Sequence, residues 1–256
     1  MFKKIRIALL LLILLIVALD AITERAYPKQ WRDSNQVALY PVNADGSDAA
    51  AAYIDSLRKD DFDSIEVFFD KEAHEYGLNI ERPFRFTLAP ALPNSPPRIN
   101  AHPSRLEIMW WSLKMRWFAW RTPKPSGPMV RIRMFLLFHD PAQASQLPES
   151  TGLQKGLLGI AHLFASKAQS GSNQVVLAHE LLHTLGATDK YDLSNNQPFN
   201  PDGLGEPDKQ PLYPQEFAEL MAGRIALTAS HAEQADSLHQ VVIGPLTAHE
   251  INWIKQ

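Results

Sequence analysis

The segment from Val130 to Phe138 constrains the fold of this 256-residue chain more than any other stretch. Apolar side chains alternate along one side of a predicted strand, and Phe135 and Leu137 on the other side are apolar as well. A strand with two apolar faces belongs in the middle of a sheet that is covered on both sides. The segment therefore predicts a central strand in a domain built from helices and a sheet.

Shorter patterns supply the other elements of that domain. They predict strands over residues 37–42, 84–88 and 157–165, and helices over residues 47–58, 64–76 and 173–185. No internal repeat is visible, so we interpret the body as one globular unit. We expect an α+β domain, with an α/β arrangement as the alternative, and the strand order does not follow from the sequence.

Composition narrows the function by exclusion. The chain is 45% hydrophobic and 21% charged, which is ordinary for a globular protein and excludes disordered, collagen-like and coiled-coil structures. A net charge of −3 gives no electrostatic reason to expect nucleic acid as a partner. The absence of cysteine excludes a disulfide scaffold, a thiolate metal ligand, a cysteine nucleophile and a bacterial lipoprotein anchor.

The N-terminus has the layout of a secretory signal. Lys3, Lys4 and Arg6 precede thirteen apolar residues, 7–19, and a basic start before an apolar run is typical of such signals. The run is short for a membrane-spanning helix, which usually needs about 20 residues. It becomes marginally long enough when it is counted over residues 5–22, with the end charges reaching the membrane interface.

No obvious cleavage site follows this run, because Asp20 stands where a small residue is expected. We therefore predict an uncleaved signal anchor over residues 1–22, with a cleaved signal peptide and a buried core helix as the alternatives. In both export cases the basic end stays cytoplasmic. Residues 23–256 would then form a domain on the outer (periplasmic or extracellular) side of the cell membrane, or a secreted domain if the signal is cleaved.

Four of the six tryptophans fall within eleven residues, between Met109 and Arg121. At helical spacing this segment presents two apolar stripes, Trp110, Leu113, Trp117 and Trp120 in the first, and Ile108, Trp111, Met115 and Phe118 in the second. Basic residues surround both stripes. We expect so wide an apolar face to pack into the core. Contact with a membrane interface or a partner is the alternative.

The motif HExxH, formed by His179, Glu180 and His183, lies in a segment with the apolar spacing of a buried helix. In a helix the two histidines lie one turn apart on the same face, so both imidazoles can reach one metal ion. Glu180 lies beside that face, where its carboxylate can take a proton from a water on the metal. Zinc lowers the pKa of such a water to about 7, so the motif predicts a catalytic zinc site.

A catalytic zinc needs a third protein ligand and one open position. Asp189 is the predicted third ligand, because Gly186 allows a left-handed turn out of the helix that returns the chain toward the ion. Glu216 and Glu219, further along the chain, form the rival set. The absence of cysteine excludes thiolate ligands, so the metal would be held by nitrogen and oxygen atoms, which these candidates supply.

The full string HExxHxxGxxD resembles the zinc-binding motif of metzincin-type metallopeptidases, in the variant where aspartate replaces the usual third histidine. Residues 183–192 are similar in particular to immune-inhibitor-A-like and snapalysin-like bacterial peptidases. The resemblance implies a zincin-like α+β fold with a mixed sheet and an active-site helix. It assigns His179, His183 and Asp189 as zinc ligands and Glu180 as the general base. The rival Glu219 would instead match thermolysin-like zincins.

Two further features are implied by the resemblance alone. The family places a methionine in a turn beneath the zinc, and Met221 is the only methionine after the motif. The family also places a strand beside the cleft, where it pairs with an extended substrate, and residues 157–165 are the candidate.

The sequence thus predicts a membrane-tethered or exported zinc metallopeptidase, acting on a peptide or protein substrate, with no nucleic acid partner. One alternative is a non-catalytic zinc-containing envelope protein that binds a partner. Another is a zinc hydrolase of a non-peptide amide. The identity of the substrate and the oligomeric state do not follow from the sequence.

Overall fold

The computed structural model describes Arg6, Leu11 and residues 28–99, 104–148, 150–154 and 156–254. The predicted signal anchor or signal peptide over residues 1–22 therefore lies almost wholly outside the described residues. Among the helices that are described, none combines the length and the apolar character needed to cross a membrane.

Five strands form the central sheet: β1 (Asn35–Asn43), β2 (Phe84–Leu88), β3 (Ile132–His139), β4 (Thr151–Leu153) and β5 (Leu158–Phe164). Their order is β2-β1-β3-β5-β4, and all neighbours are parallel except β4, which runs antiparallel to β5. The predicted α+β class with a mixed sheet is confirmed. The central position of β3 is also confirmed, because Met134 and Phe135 on its two faces are both fully buried.

The described helices are α1 (Asp48–Ser56), α2 (Asp63–Glu75), α3 (Arg105–Arg121), α4 (Ser170–Thr184) and α5 (Pro245–Glu250). The predicted helices correspond to α1, α2 and α4, with ends within three residues. Local chemistry explains the agreement: the Ser47 side chain accepts a hydrogen bond from the Ala50 backbone N–H at the start of α1. At the end of α2, Gly77 adopts a φ of +73°.

The sheet separates two apolar cores. Helices α1, α2 and α4 pack on one face, where Ile54, Phe69 and Leu181 meet β-strand residues such as Met134. Helix α3 packs on the opposite face, where Trp111 and Met115 meet Phe135. Since neighbouring strand residues point to opposite faces, the alternation in β3 sends side chains into both cores. The helix with the HExxH motif and the tryptophan-rich helix therefore lie on opposite sides of the sheet.

The C-terminal part of the chain closes the first core beside α4. Its strands are β6 (Ala218–Glu219), β7 (Arg224–Thr228), β8 (His231–Gln234) and β9 (Val241–Val242). β6 and β9 form one parallel pair, and β7 and β8 form an antiparallel hairpin. Buried residues of this part, including Leu220 and Met221, join the core that contains the apolar face of α4.

The prediction that the tryptophan-rich face packs into the core is wrong for its first stripe. Helix α3 buries Trp111, Met115 and Ala119, whereas Trp110, Leu113, Trp117 and Trp120 are exposed. The physical reason is that a helix lying on a sheet buries only the side that touches the sheet. No other described element covers the outer side of α3.

Candidate metal centre

Helix α4 carries the HExxH motif and ends where the sequence requires. Leu177, Leu181 and Leu182 are buried against the sheet and hold the helix in place. The helix stops after Thr184, and the Gly186 N–H donates a hydrogen bond to the His183 carbonyl oxygen. Gly186 adopts a φ of +88°, the left-handed conformation that the sequence analysis expected. This turn reverses the chain toward the histidines.

Three side chains meet at one point beside α4. The Nε2 atoms of His179 and His183 are 2.9 Å apart, and Asp189 Oδ1 lies 3.1 Å from each of them. The histidine side chains are 15% and 17% exposed and that of Asp189 is 37% exposed, so the aspartate is the most exposed of the three. The structure thus brings together the three residues that the motif singles out.

Hydrogen bonds on the far sides of the imidazoles fix which nitrogen faces this point. His179 Nδ1 lies 3.0 Å from the Leu220 carbonyl oxygen, and His183 Nδ1 lies 2.8 Å from that of Ala187. Because a carbonyl oxygen can only accept, each Nδ1 carries the hydrogen and each neutral ring turns a lone pair at Nε2 inward. Two nitrogen lone pairs and a carboxylate oxygen therefore converge, an arrangement that attracts a cation.

The convergent atoms fit a zinc ion. Ligand atoms bound at about 2.0–2.1 Å in tetrahedral geometry lie about 3.3 Å apart, close to the observed separations of 2.9 and 3.1 Å. Asp189 Oδ1 is buried and accepts no hydrogen bond. Two imidazoles and one carboxylate are donors that a zinc ion accepts, and three of them leave a fourth tetrahedral position unassigned.

The pKa values of His179 and Asp189 are shifted by their mutual contact. Burial lowers the pKa of His179, but the contact with Asp189, aided by Glu180 and the Leu220 carbonyl, outweighs burial and raises that pKa to about 9. Burial also acts to raise the pKa of Asp189, yet the two histidines hold it well below its ordinary value. The aspartate therefore favours positive charge at His179 Nε2, and a metal ion that binds the lone pair of the neutral ring would have to displace a proton from that nitrogen.

Glu180 lies beside the ligands without being one of the three convergent atoms. Its side chain is buried, and its Oε2 atom has no hydrogen-bond partner. Its carboxylate lies within 4.8 Å of the ring nitrogens of both histidines. Burial raises the pKa of Glu180 above its ordinary value, against the opposing effect of His179 and His183. A carboxylate whose pKa is raised in this way is a better proton acceptor than an ordinary glutamate.

The rival ligands Glu216 and Glu219 do not reach the histidines. Glu219 is fully buried, and its two oxygens accept hydrogen bonds from the backbone N–H groups of Met221, Ala222 and Gly244 and from the Thr247 hydroxyl. Glu216 is exposed and pairs with Lys209. The acceptor capacity of Glu219 is used to hold the turn after β6, so its role is structural.

The turn after β6 holds the site through two backbone carbonyl groups. The Leu220 carbonyl accepts from His179 Nδ1, and the Met221 carbonyl accepts a hydrogen bond from the Lys190 backbone N–H at 3.0 Å. Met221 itself is fully buried in the core next to α4. One short segment therefore positions a histidine and the loop with Asp189 together. The specific function that the resemblance gives to the Met221 side chain stays a prediction.

A buried ion pair that the sequence analysis missed holds the loop that carries Asp189. The Lys190 ammonium donates to the Glu250 carboxylate at 2.8 Å and to the Thr188 hydroxyl at 2.7 Å. Thr188 in turn donates from its backbone N–H and its hydroxyl to the two Glu250 oxygens. Residues 188 and 190 flank Asp189, so Glu250 on α5 fixes both sides of the ligand. A charged lysine directly after the candidate ligand Asp189 was the only local signal.

The strand nearest the site was also missed. β4 packs so closely on α4 that a Cβ added to Gly152 would overlap the Cβ of His183. The candidate for the substrate-pairing strand, residues 157–165, lies inside the sheet because β5 pairs with β3 on one side and with β4 on the other. That prediction is wrong in position: the edge strand beside the histidines is β4. Its three residues are too few to give a sequence pattern.

Comparison with known proteins adds no relative: no protein-family model matches the chain, and no curated protein matches it. The resemblance to metzincin-type peptidases therefore rests on the motif alone. What the site can do has to be argued from its own side chains.

Proposed function

We propose that this chain is a zinc-dependent metallopeptidase that hydrolyses peptide bonds. The observation that supports this most directly is the convergence of His179 Nε2, His183 Nε2 and Asp189 Oδ1 within 3.1 Å of one another. The buried carboxylate of Glu180, whose Oε2 atom has no hydrogen-bond partner, lies next to them. A structural metal site has no use for such a group, whereas hydrolysis needs a base at that position.

His179, His183 and Asp189 would hold the zinc ion in this proposal, and the fourth coordination position would be left for water and substrate. Zinc in such a site supplies Lewis acidity, which polarises a carbonyl group and makes water acidic near pH 7. The two carbonyls of Leu220 and Ala187 orient the imidazoles from behind. Such outer hydrogen bonds fix the tautomer and raise the basicity of the ligand nitrogens.

Glu180 would carry the protons. Its carboxylate takes a proton from the attacking water as the new carbon–oxygen bond forms at the peptide carbonyl. The protonated carboxyl then gives that proton to the leaving amine nitrogen as the carbon–nitrogen bond breaks, which restores the carboxylate. The upward shift of its pKa by burial favours the first transfer, because a more basic carboxylate takes the proton from water more readily and holds it until the amine leaves.

The position of β4 favours an extended peptide as the substrate over a small amide. β4 (Thr151–Leu153) lies at the edge of the sheet, directly over the turn of α4 that carries Glu180 and His183. An edge strand offers unpaired backbone groups to which an extended chain can add as a further strand. A peptide held there would run past the metal ligands.

The proposed location is the outer side of the cell membrane, tethered through the signal anchor predicted over residues 1–22, or outside the cell if that segment is removed. A zinc hydrolase of a non-peptide amide and a non-catalytic zinc protein remain the competing functions. A structural zinc needs four protein ligands. Among the described residues, Glu180 forms a potential ligand group with the two histidines, and Asp189 Oδ1 lies 3.1 Å from the same histidines.

The substitution Glu180→Gln tests the mechanism, because glutamine has the same shape but cannot exchange the proton. We expect the purified full-length variant to keep about one zinc per chain and to lose about 10²–10⁴-fold in kcat/KM on a peptide library. Glu216→Gln, at an exposed glutamate, is the matched control and should leave both quantities unchanged. Undiminished hydrolysis by the Glu180 variant would refute the assignment. X-ray absorption that finds four protein ligands and no water would favour the non-catalytic function.

A further inference from the structure

Helix α3 presents an uncovered apolar surface to solvent. Leu106, Met109, Trp110, Leu113, Trp117 and Trp120 follow helical spacing along its outer side, and we call this surface the aromatic face. These side chains are 51–72% exposed. A contiguous apolar surface of this kind on a folded domain marks an interaction site, since scattered exposed residues do not form a stripe.

A groove runs along the same helix and widens the apolar surface. It has a volume of about 1030 Å³ and lies between α3 and the proline-rich loop after β2. Leu113 and Trp117 form one wall, Leu92 and Pro93 contribute to the other, and Tyr40 also lines the groove. The groove and the aromatic face together give a surface that is apolar over several turns of helix.

The charge of this helix is opposite to that of the whole chain. α3 contains four cationic residues and one acid, a net charge of +3, whereas the chain carries −3. The one acid, Glu107, accepts a hydrogen bond from the Ser104 backbone N–H in the helix cap, so it serves the helix start. Arg105, Lys114 and Arg121 are exposed beside the aromatic face. Exposed tryptophans flanked by cations match the interface of an anionic bilayer.

Two other occupants fit the surface less well. A second copy of the chain would bring two helices of charge +3 against each other, and like charges across an interface oppose association. A substrate of the metal centre would not reach the aromatic face, because α3 and α4 lie on opposite sides of the sheet. Neither objection applies to a lipid surface that carries negative headgroups.

We propose that the aromatic face of α3 docks on an anionic lipid bilayer, with its tryptophans at the headgroup level and its cations against anionic lipids. The docked helix turns the opposite side of the sheet, and with it α4, away from the membrane. This surface is independent of zinc chemistry, and it acts on the body of the protein in addition to any N-terminal anchor.

The absence of cysteine allows a direct test on the full chain, because a single introduced cysteine carries the only spin label. Leu113→Cys places the label on the aromatic face. Val67→Cys is the matched control, since Val67 is 56% exposed on α2 and Leu113 is 51% exposed on α3. Each labelled chain is reconstituted in lipid nanodiscs, either of phosphatidylcholine alone or with added phosphatidylserine. Electron paramagnetic resonance then compares collisions with oxygen, which concentrates in lipid, and with a water-soluble nickel chelate.

We expect the label at residue 113 to favour oxygen over the nickel chelate several-fold more than the label at residue 67, and only with phosphatidylserine present. Neutralising Lys114 and Arg121 together to glutamine should lower the ratio of docked to undocked protein about 25-fold, at roughly fivefold for each cation. Equal collision ratios at both positions would overturn the proposal. Spin–spin broadening that disappears on dilution with unlabelled chain would also overturn the proposal, because it indicates a second copy on the aromatic face. So would shielding of the label from both probes whatever the lipid charge, because it indicates that a segment of the chain itself covers the face.

Discussion

Truncation of Glu250 to alanine tests whether α5 holds the ligand loop in place. The substitution removes the carboxylate that accepts hydrogen bonds from Lys190 and from both donors of Thr188. The Lys190 side chain is only 3% exposed, so its ammonium stays buried without its carboxylate. Asp189, between these two residues, then loses the contacts that fix its backbone on either side.

Removing one partner of a buried ion pair costs about 3–5 kcal/mol. The low end applies here, because Glu250 is 19% exposed and the Thr188 oxygens still accept from the ammonium. A loss of about 3 kcal/mol, divided by a urea dependence of about 3 kcal/mol per M, lowers the unfolding midpoint by about 1 M. Zinc affinity should fall about 10–100-fold, as it does when residues behind metal ligands are changed.

Urea unfolding followed by circular dichroism in the presence of a chelator measures the first effect without a contribution from bound zinc. Competition with a chromophoric chelator measures the second. Glu233→Ala is the control, because its pair with His231 is exposed and should contribute almost nothing. An unchanged urea midpoint together with unchanged zinc affinity in the Glu250 variant would show that α5 does not hold the loop.

The remaining predictions concern the ligands and their surroundings. Asp189→Ala should abolish binding of zinc at micromolar concentration, while Asp192→Ala in the same loop should leave zinc binding intact. Glu219→Gln should lower the melting temperature by disturbing buried hydrogen bonds, yet keep one zinc per folded chain. If the Glu219 variant loses zinc and the Asp189 variant keeps it, the thermolysin-like alternative is restored. Gly152→Ala should lower the melting temperature by roughly 5 °C, because the new methyl group pushes β4 away from α4. Burial acts to raise the pKa of Glu250, but hydrogen bonds from Lys190 and Thr188 hold that pKa below its ordinary value. Its contribution to stability is therefore present above the unfolded pKa of about 4.3 and lost as the pH falls through the folded value, so the stability difference between the metal-free wild type and Glu250→Gln should shrink below about pH 5.

The arrangement of the candidate metal ligands was predictable because their geometry is local. His179, His183 and Asp189 fall within eleven residues, and helical spacing followed by a left-handed glycine brings them together almost without help from the rest of the fold. The central strand was predictable for a similar reason, because a strand with two apolar faces must lie where both faces are covered. The position of Gly186 favoured Asp189 over Glu219 already in the sequence, and the tertiary structure adds that the Glu219 oxygens accept hydrogen bonds elsewhere.

The features that the sequence did not reveal depend on distant partners. Lys190 and Glu250 are sixty positions apart, and nothing in either local pattern identifies the other. β4 is a strand because β5 offers it an edge, and three residues carry no period of their own. The prediction for the stripe of Trp110, Leu113, Trp117 and Trp120 was wrong for a different reason. Periodicity correctly predicted a helix with an apolar side, but periodicity does not show whether other parts of the protein cover that side.

The two proposals together restrict which substrates can reach the metal centre. If the aromatic face of α3 lies on the bilayer, the sheet stands between the membrane and α4, because the two helices pack on opposite faces. α4 and the candidate ligands beside it then belong to the aqueous half of the molecule. Peptides in solution, or chain segments that extend well clear of the membrane, can align along β4, whereas a segment within the bilayer cannot. A chain anchored and docked in this way would therefore cleave at a distance from the lipid surface, set by the thickness of the α3 and sheet layers.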